Sequence, residues 1–261
     1  MDKEQEKVRE LVIEVINLNK SFLSSKNSDL SISKRLFGLF ENRKKSLNLY
    51  KALQNINFSI RRGEVFGIIG RNGSGKSTLL LLLLGAMIGD KGSIIRRKGK
   101  MLRLALGMGM DGNLSARDNI YINGSMLGLS FKQIGEKFSN IARFADVEDS
   151  IDMPIKHFSK GMRARLNFAI ALHVNADILL LDEFFGGVGD RDFRAKSNNA
   201  FKKKLIRKKT VIIVSHNMSI MKDHCNRVMW LDKGVVKEVG APKKVIRNYK
   251  RSFKGKTQDV Q

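Results

Sequence analysis

Cysteine is almost missing from this chain: Cys225 stands alone among 261 residues. An internal disulfide is therefore excluded, and a reducing, cytosolic setting fits. Proline is nearly as scarce, with two residues. No Pro-rich or Gly/Ser-rich linker breaks the chain, and no internal repeat or heptad tract is present. Long hydrophobic runs are lacking too. The longest, Leu79 to Ile88, falls short of the roughly 20 apolar residues that a spanning helix needs. The opening stretch, Met1 to Glu10, is charged with no apolar segment behind it, so no secretory leader is expected. Acidic residues are outnumbered by basic ones, 25 against 49, for a net charge of +24. Such an excess suits a solvated surface or attraction to something anionic: a membrane leaflet, nucleic acid or an acidic substrate. Charge alone does not choose among them.

What is present reads as globular. A hydrophobic content of 42% over this length supports one sizeable core, or a core with an inserted lobe. Strands are expected at Val8 to Leu18, Ala52 to Ile60, Glu64 to Ile69, Ile178 to Leu181 and Val211 to Val214. A final hairpin is expected over Arg227 to Val239, with Gly234 at its turn. Gly92 to Leu106 reads as short strands with a basic connection, and Leu79 to Met87 as an apolar helix. The region from about 114 to 173 is helical in character and forms the expected inserted lobe. Lys243 to Tyr249 suggests a short helix, and 250–261 a polar, frayed tail. Between about 24 and 48 the strand pattern breaks. There Leu30, Ile32, Leu36, Phe37, Leu39 and Phe40 interleave with Lys34, Arg35, Arg43, Lys44 and Lys45, the pattern of a short basic amphipathic helix. Strands alternating with helices argue for an α/β domain spanning 1–249, with ligands at the carboxyl ends of its strands.

Chemistry enters at Gly70-Arg71-Asn72-Gly73-Ser74-Gly75-Lys76-Ser77-Thr78, a full match to the P-loop pattern between an apolar strand and an apolar helix. Glycines let the chain wrap with its N–H groups inward, and those dipoles together with the helix N-terminus favour phosphate. Lys76 supplies a point charge to the β- and γ-phosphates of ATP, and the Ser77 hydroxyl ligates Mg²⁺. Downstream, the buried run Ile178 to Leu181 delivers Asp182 and Glu183 to the same edge. Asp182 is expected to hold the Mg²⁺ shell and Glu183 to polarise the attacking water.

Between these motifs lies Phe158-Ser159-Lys160-Gly161-Met162-Arg163-Ala164-Arg165, which resembles the signature sequence of ABC ATPases, usually written LSGGQ. Ser159 and Gly161 match it; Lys160 and Met162 depart. The resemblance implies a mixed-sheet P-loop core with an antiparallel portion and an inserted helical subdomain. It also implies a head-to-tail homodimer, in which Ser159 and Gly161 of one copy face the γ-phosphate held by the other. His216, in Ser215-His216-Asn217, stands where the family has a switch histidine, and Asp190, in Val188-Gly189-Asp190, where a loop runs between the two sites. Leu18-Asn19-Lys20-Ser21-Phe22 looks like the family's first-strand segment, which makes Phe22 the expected adenine-stacking ring, with Tyr50 the alternative. One departure is plain. Ala105 and Leu106 occupy the place of the family's metal-sensing glutamine, and the role of nearby Asp111 stays open.

Longer stretches narrow the branch. Asn113 to Gly124 is similar to the LTGRENIYLNG segment of polysaccharide exporters, and Phe158 to Ala171 to their YSSGMRARLGFAIA. Phe184 to Asp190 stands where they carry a VLAVGD-like stretch, and the 24–48 insertion also resembles theirs. The resemblance implies an ATP-hydrolysing subunit that moves lipid-linked O-antigen, capsular or teichoic-acid polymers. It would be peripheral, on the cytoplasmic face of the bacterial inner membrane, and would work with two copies of a multi-span permease. The basic insertion would then dock at the cytosolic membrane surface or meet an anionic lipid-linked substrate. The chain stops at Gln261, so the carbohydrate-binding module of many relatives is not expected here. The rivals are another ABC transporter type, and a soluble ABC ATPase acting on nucleic acid. The second would typically carry two cassettes or a long coiled coil, neither of which is present, so no nucleic-acid partner is expected.

Overall fold

The computed structural model describes residues 10–24, 48–104, 109–182, 191–206 and 209–254. Two sheets organise it. Strands β1 (Leu11–Ser24) and β2 (Asn48–Arg61) run antiparallel. Beside them come β3 (Val65–Ile69), β4 (Ile94–Arg97) and β5 (Met101–Leu104), then β6 (Ile178–Asp182), β7 (Thr210–Val214), β8 (Arg227–Asp232) and β9 (Val235–Gly240). The smaller sheet has the order β2-β1-β4, the larger β5-β6-β7-β3-β8-β9. The larger is parallel except for its final hairpin.

The aliphatic runs explain this layering. β3 and β7 are buried at every position, as strands covered on both faces must be. Ile178, Leu180, Ile212, Val214, Phe66 and Ile68 face the smaller sheet and helix α1 (Lys76–Leu84), whose Leu79, Leu80, Leu82 and Leu83 share that core. Leu179, Leu181, Val211 and Ile213 face the opposite layer, with Phe168, Phe193, Phe201, Met221 and Val245. Helix α1 is apolar on most sides because it is sandwiched between the sheets.

Helices α2 (Ala116–Met126), α3 (Phe131–Ala145) and α4 (Lys160–Ala171) form a lobe with a core of its own around Ile120, Ile134, Ile141, Leu166 and Ile170. Each begins at a serine. Ser115 and Ser130 make capping boxes with Asp118 and Gln133, and the Ser159 hydroxyl accepts from the Met162 amide.

Three findings depart from the sequence expectation. β4 and β5, the short strands expected over Gly92 to Leu106, belong to different sheets, which the sequence reading did not foresee. Helices α5 (Arg191–Ala200, continuing as a π-helical turn over Phe201–Ile206) and α6 (Met218–His224) were not foreseen. The first is anchored by two aromatics: Phe193 packs edge-on against Phe144 and Phe168, and Phe201 is fully buried. Asn217 starts the second by accepting from the Ser219 and Ile220 amides. The last helix, α7 (Pro242–Lys254), runs past Tyr249 into the expected frayed tail. Its extra turn is held by Phe253, which stacks edge-on against Tyr249 at 4.9 Å and lies 5.3 Å beneath the Arg71 guanidinium. The basic insertion, residues 25–47, lies outside the described residues.

Cys225 ends α6 against Met221, with its sulfur 3.7 Å from the Met221 sulfur. Burial pushes its thiol up to about 12, so the nucleophilic thiolate is rare near neutrality. A disulfide reagent at pH 8 should therefore label the native protein at least about a hundredfold more slowly than the urea-unfolded chain. Equal rates would place this thiol at the surface.

Candidate functional site

The larger sheet sets the geometry of the site. Asp182 pairs with Val214, and Val214 with Ile68, so β6, β7 and β3 end level with one another. Their carboxyl ends deliver Asp182, the Ser215-His216 turn and the P-loop to one edge, where ligands gather in open α/β sheets. A cleft of about 380 Å³ lies there, lined by Tyr50, Asn72, Gly73, Gly75, Lys76, Ser77, Thr78, Asp182 and His216, among others.

The P-loop turns into α1 at Gly75, the N-cap residue, which has φ +103°. A side chain there would be strained and would meet Leu53 and the Ala52 carbonyl. The loop is braced from behind by the β8–β9 turn. Lys233 (φ +48°) and Gly234 (φ +76°) both take the left-handed conformation of a tight hairpin. The Gly234 amide donates to the Ser74 carbonyl at 3.0 Å, and its carbonyl accepts from the Gln54 amide at 2.8 Å. A methyl on Gly234 would strike the Ala52 carbonyl. The turn thus ties the P-loop to β2, which carries Tyr50.

Lys76 turns back over the loop, its Nζ donating to the carbonyls of Gly70 (2.8 Å) and Arg71 (2.9 Å). That places an ammonium where the loop's amide dipoles converge, an arrangement suited to phosphate. Ser77 and Asp182 supply hard oxygen donors to the same cleft. Among the described residues no group of three or more His, Cys, Asp or Glu side chains could hold a metal. A single carboxylate with one hydroxyl fits Mg²⁺, which keeps its remaining positions for waters and substrate phosphates.

The two aromatic candidates stand opposite each other across β1 and β2, with Phe22 paired to Tyr50. Tyr50, about half exposed, lines the cleft. Phe22 is not among the lining residues; the Lys20 ammonium sits 5.5 Å from the centre of its ring. Ser159 and Gly161, at the start of α4, do not line the cleft of their own chain. Glu183, Asp190, Ala105 and Leu106 fall in segments 183–190 and 105–108, outside the described residues. Asp111 lies away from the cleft lining: its amide donates to the Asn119 side-chain oxygen and its carboxylate accepts from the Asn113 amide.

Two features escaped the sequence reading. One is the bracing turn, since nothing in Asp232-Lys233-Gly234 says what it will touch. The other is Arg103, whose guanidinium donates to the Asp182 carboxylate at 2.6 Å. Its signal was a lone cation inside the apolar strand Met101–Leu104.

Comparison with known proteins agrees with this geometry. A family model described as ABC transporter matches residues 53–186. The teichoic acids export ATP-binding protein of Listeria innocua is 37% identical over 227 residues, covering 86% of this chain and 67% of that protein. The O-antigen export system ATP-binding protein of Klebsiella pneumoniae is 38% identical over 223 residues, covering 84% of this chain and 87% of that one. A solved ATP-binding cassette, described as a dimeric post-hydrolysis state bound to ADP and Pi, superposes with a TM-score of 0.65. It is 20% identical, and the match covers 88% of this chain and 98% of that one.

Proposed function

This chain belongs to the ABC transporter family as one of its ATP-binding ATPases, and from that premise we propose that it powers export of a lipid-linked polysaccharide. The observation that carries the proposal is the match to the Klebsiella pneumoniae O-antigen export protein, which extends over most of both chains. Among the described residues no helix is long and apolar enough to cross a membrane. The path for the polymer would then come from two copies of a multi-span permease, with the ATPase seated on its cytoplasmic side.

The site chemistry follows from the chain's own groups. ATP would enter the cleft with its base against Tyr50, the ring that the lining favours over Phe22. Its phosphates would lie in the wrap of Gly70 to Thr78, and Lys76 would release the loop carbonyls to meet the β- and γ-phosphates. Ser77 and Asp182 would hold Mg²⁺, which shields phosphate charge. Glu183 would orient and deprotonate the attacking water, and His216 would steady the γ-phosphate. Ser159 and Gly161 would complete the site from a second copy, with Asp190 on the loop between the two sites. Among the described residues a methyl at Gly161 would meet nothing but the Ser159 hydroxyl, at 3.7 Å, so this face is open to a second copy.

The test is to purify the tagged chain from its native membranes in mild detergent with Mg-ATP and to identify what comes with it. A multi-span permease encoded beside glycan-synthesis genes is the expected companion. A permease of another kind would remove the polysaccharide assignment, and nucleic acid surviving high salt would point to the soluble rival. A companion experiment changes Arg35, Arg43, Lys44 and Lys45 together to glutamine. Polymer export should fall at least about tenfold while the ATPase rate of the isolated chain stays as it was, since four basic residues at about 1 kcal/mol each would carry much of the attachment to an anionic surface. Undiminished export would remove the docking role given to the insertion.

A further inference from the structure

Arg103 lies on β5 opposite Leu180 of β6. Asp182 is two residues further along β6 and so projects from the same face as Leu180. A long side chain reaching one rung forward meets the carboxylate, and the Arg103 Nη2 to Asp182 Oδ2 distance is 2.6 Å. The pair is half-buried, with the arginine side chain 35% and the aspartate side chain 20% exposed. Its geometry is incomplete, because the Arg103 Nε is buried with no hydrogen-bond partner among the described residues. Leaving such a donor unsatisfied costs roughly 1–3 kcal/mol, so the guanidinium is held by the carboxylate at some expense.

We propose that Arg103 is a built-in counter-ion for Asp182 that is exchanged for the Mg²⁺ of the incoming nucleotide. The inference rests on reading Asp182 as the carboxylate that holds the metal. A guanidinium and a divalent cation repel each other, so each weakens the other's hold on a shared carboxylate and arrival of the metal loosens Arg103. Arg103 is thus a positioning residue, acting through Asp182.

The test uses Mn²⁺ as a paramagnetic stand-in. Free Mn²⁺ is followed by electron paramagnetic resonance while it is titrated into the full chain with excess non-hydrolysable ATP analogue. Arg103→Met should bind Mn²⁺ on the order of tenfold more tightly than wild type, the scale of one lost charge-assisted hydrogen bond. Arg103→Lys keeps the charge and should stay near wild type. In thermal melts without metal or nucleotide Arg103→Met should be the less stable protein, and with saturating Mn²⁺ and analogue that difference should close. A purely structural arginine would leave the gap open and the Mn²⁺ affinity unchanged or weaker, and either result overturns the exchange. A lysine variant that shifts as far as the methionine one overturns it as well. If wild type takes up no Mn²⁺ with nucleotide, the reading of Asp182 fails, and the exchange falls with it.

Discussion

Glu183→Gln should leave a protein that binds ATP as wild type does, yet turns it over about 10²- to 10⁴-fold more slowly, the usual worth of a positioned general base. Glu183 directly follows Asp182 in the sequence, and Asp182 ends β6 at the edge where Lys76, Ser77 and His216 line the cleft. Glutamine keeps the size and hydrogen-bonding reach of the side chain but cannot accept the proton of the attacking water. If Ser159 and Gly161 complete the site from a second copy, stalled ATP will hold two copies together. The variant should then elute as a dimer with Mg-ATP and as a monomer with Mg-ADP, by size exclusion with light scattering. Near-normal turnover would remove Glu183 from the chemistry. A monomer at saturating ATP would leave Gly161 without the outside partner argued for it.

Lys76→Ala should fail at an earlier step. Among the described residues its ammonium is the one basic side chain lining the cleft besides His216, and the loop carbonyls already hold it where phosphates would converge. Charge-assisted bonds of this kind are worth about 1.5–3 kcal/mol each. ATP affinity should therefore drop on the order of tenfold to a hundredfold, measured with a fluorescent analogue. Hydrolysis should fall further, by roughly 10²- to 10³-fold beyond the affinity loss, because the same charge meets more negative oxygen in the transition state than in the ground state. The fold should survive, since a solvent-facing cleft residue carries none of the core. A Lys76→Ala protein that retains affinity while losing turnover would confine the lysine to the transition state. One that loses neither would place the phosphates elsewhere.

Much of this site was legible because its parts are contiguous. A P-loop is a local device: its glycines, its lysine and the helix that follows are nine consecutive residues, Gly70 to Thr78, and their spacing alone specifies the anion cradle. The aliphatic run before Asp182 is equally local, since a strand buried on both faces needs apolar residues at every position. The start of α4 could be read for the same reason, as serine at an N-cap bonds within its own first turn. Helix α5 was opaque. Its first turns are polar apart from Phe193 and two alanines, too sparse a stripe to announce a helix, and it is held by contacts with Phe144 and Phe168 from distant parts of the chain. The choice between Phe22 and Tyr50 was opaque too, because two residues paired across strands share a face and only the position of the P-loop separates them.

The sequence by itself determined the family and the α/β class, and singled out the groups proposed to meet phosphate and metal, because each depends on bonds and dipoles within a few consecutive residues. Tertiary structure decided what only distance in space can decide. It sent β4 and β5 to different sheets although few residues part them, set the β8–β9 turn behind Ser74, and brought Tyr50 to the cleft. It also laid Arg103 against Asp182. The physical reason is that a charge at one position in a strand declares its sign but not its neighbour, and its neighbour is fixed only when the order β5-β6-β7-β3 places that strand at the edge of the sheet.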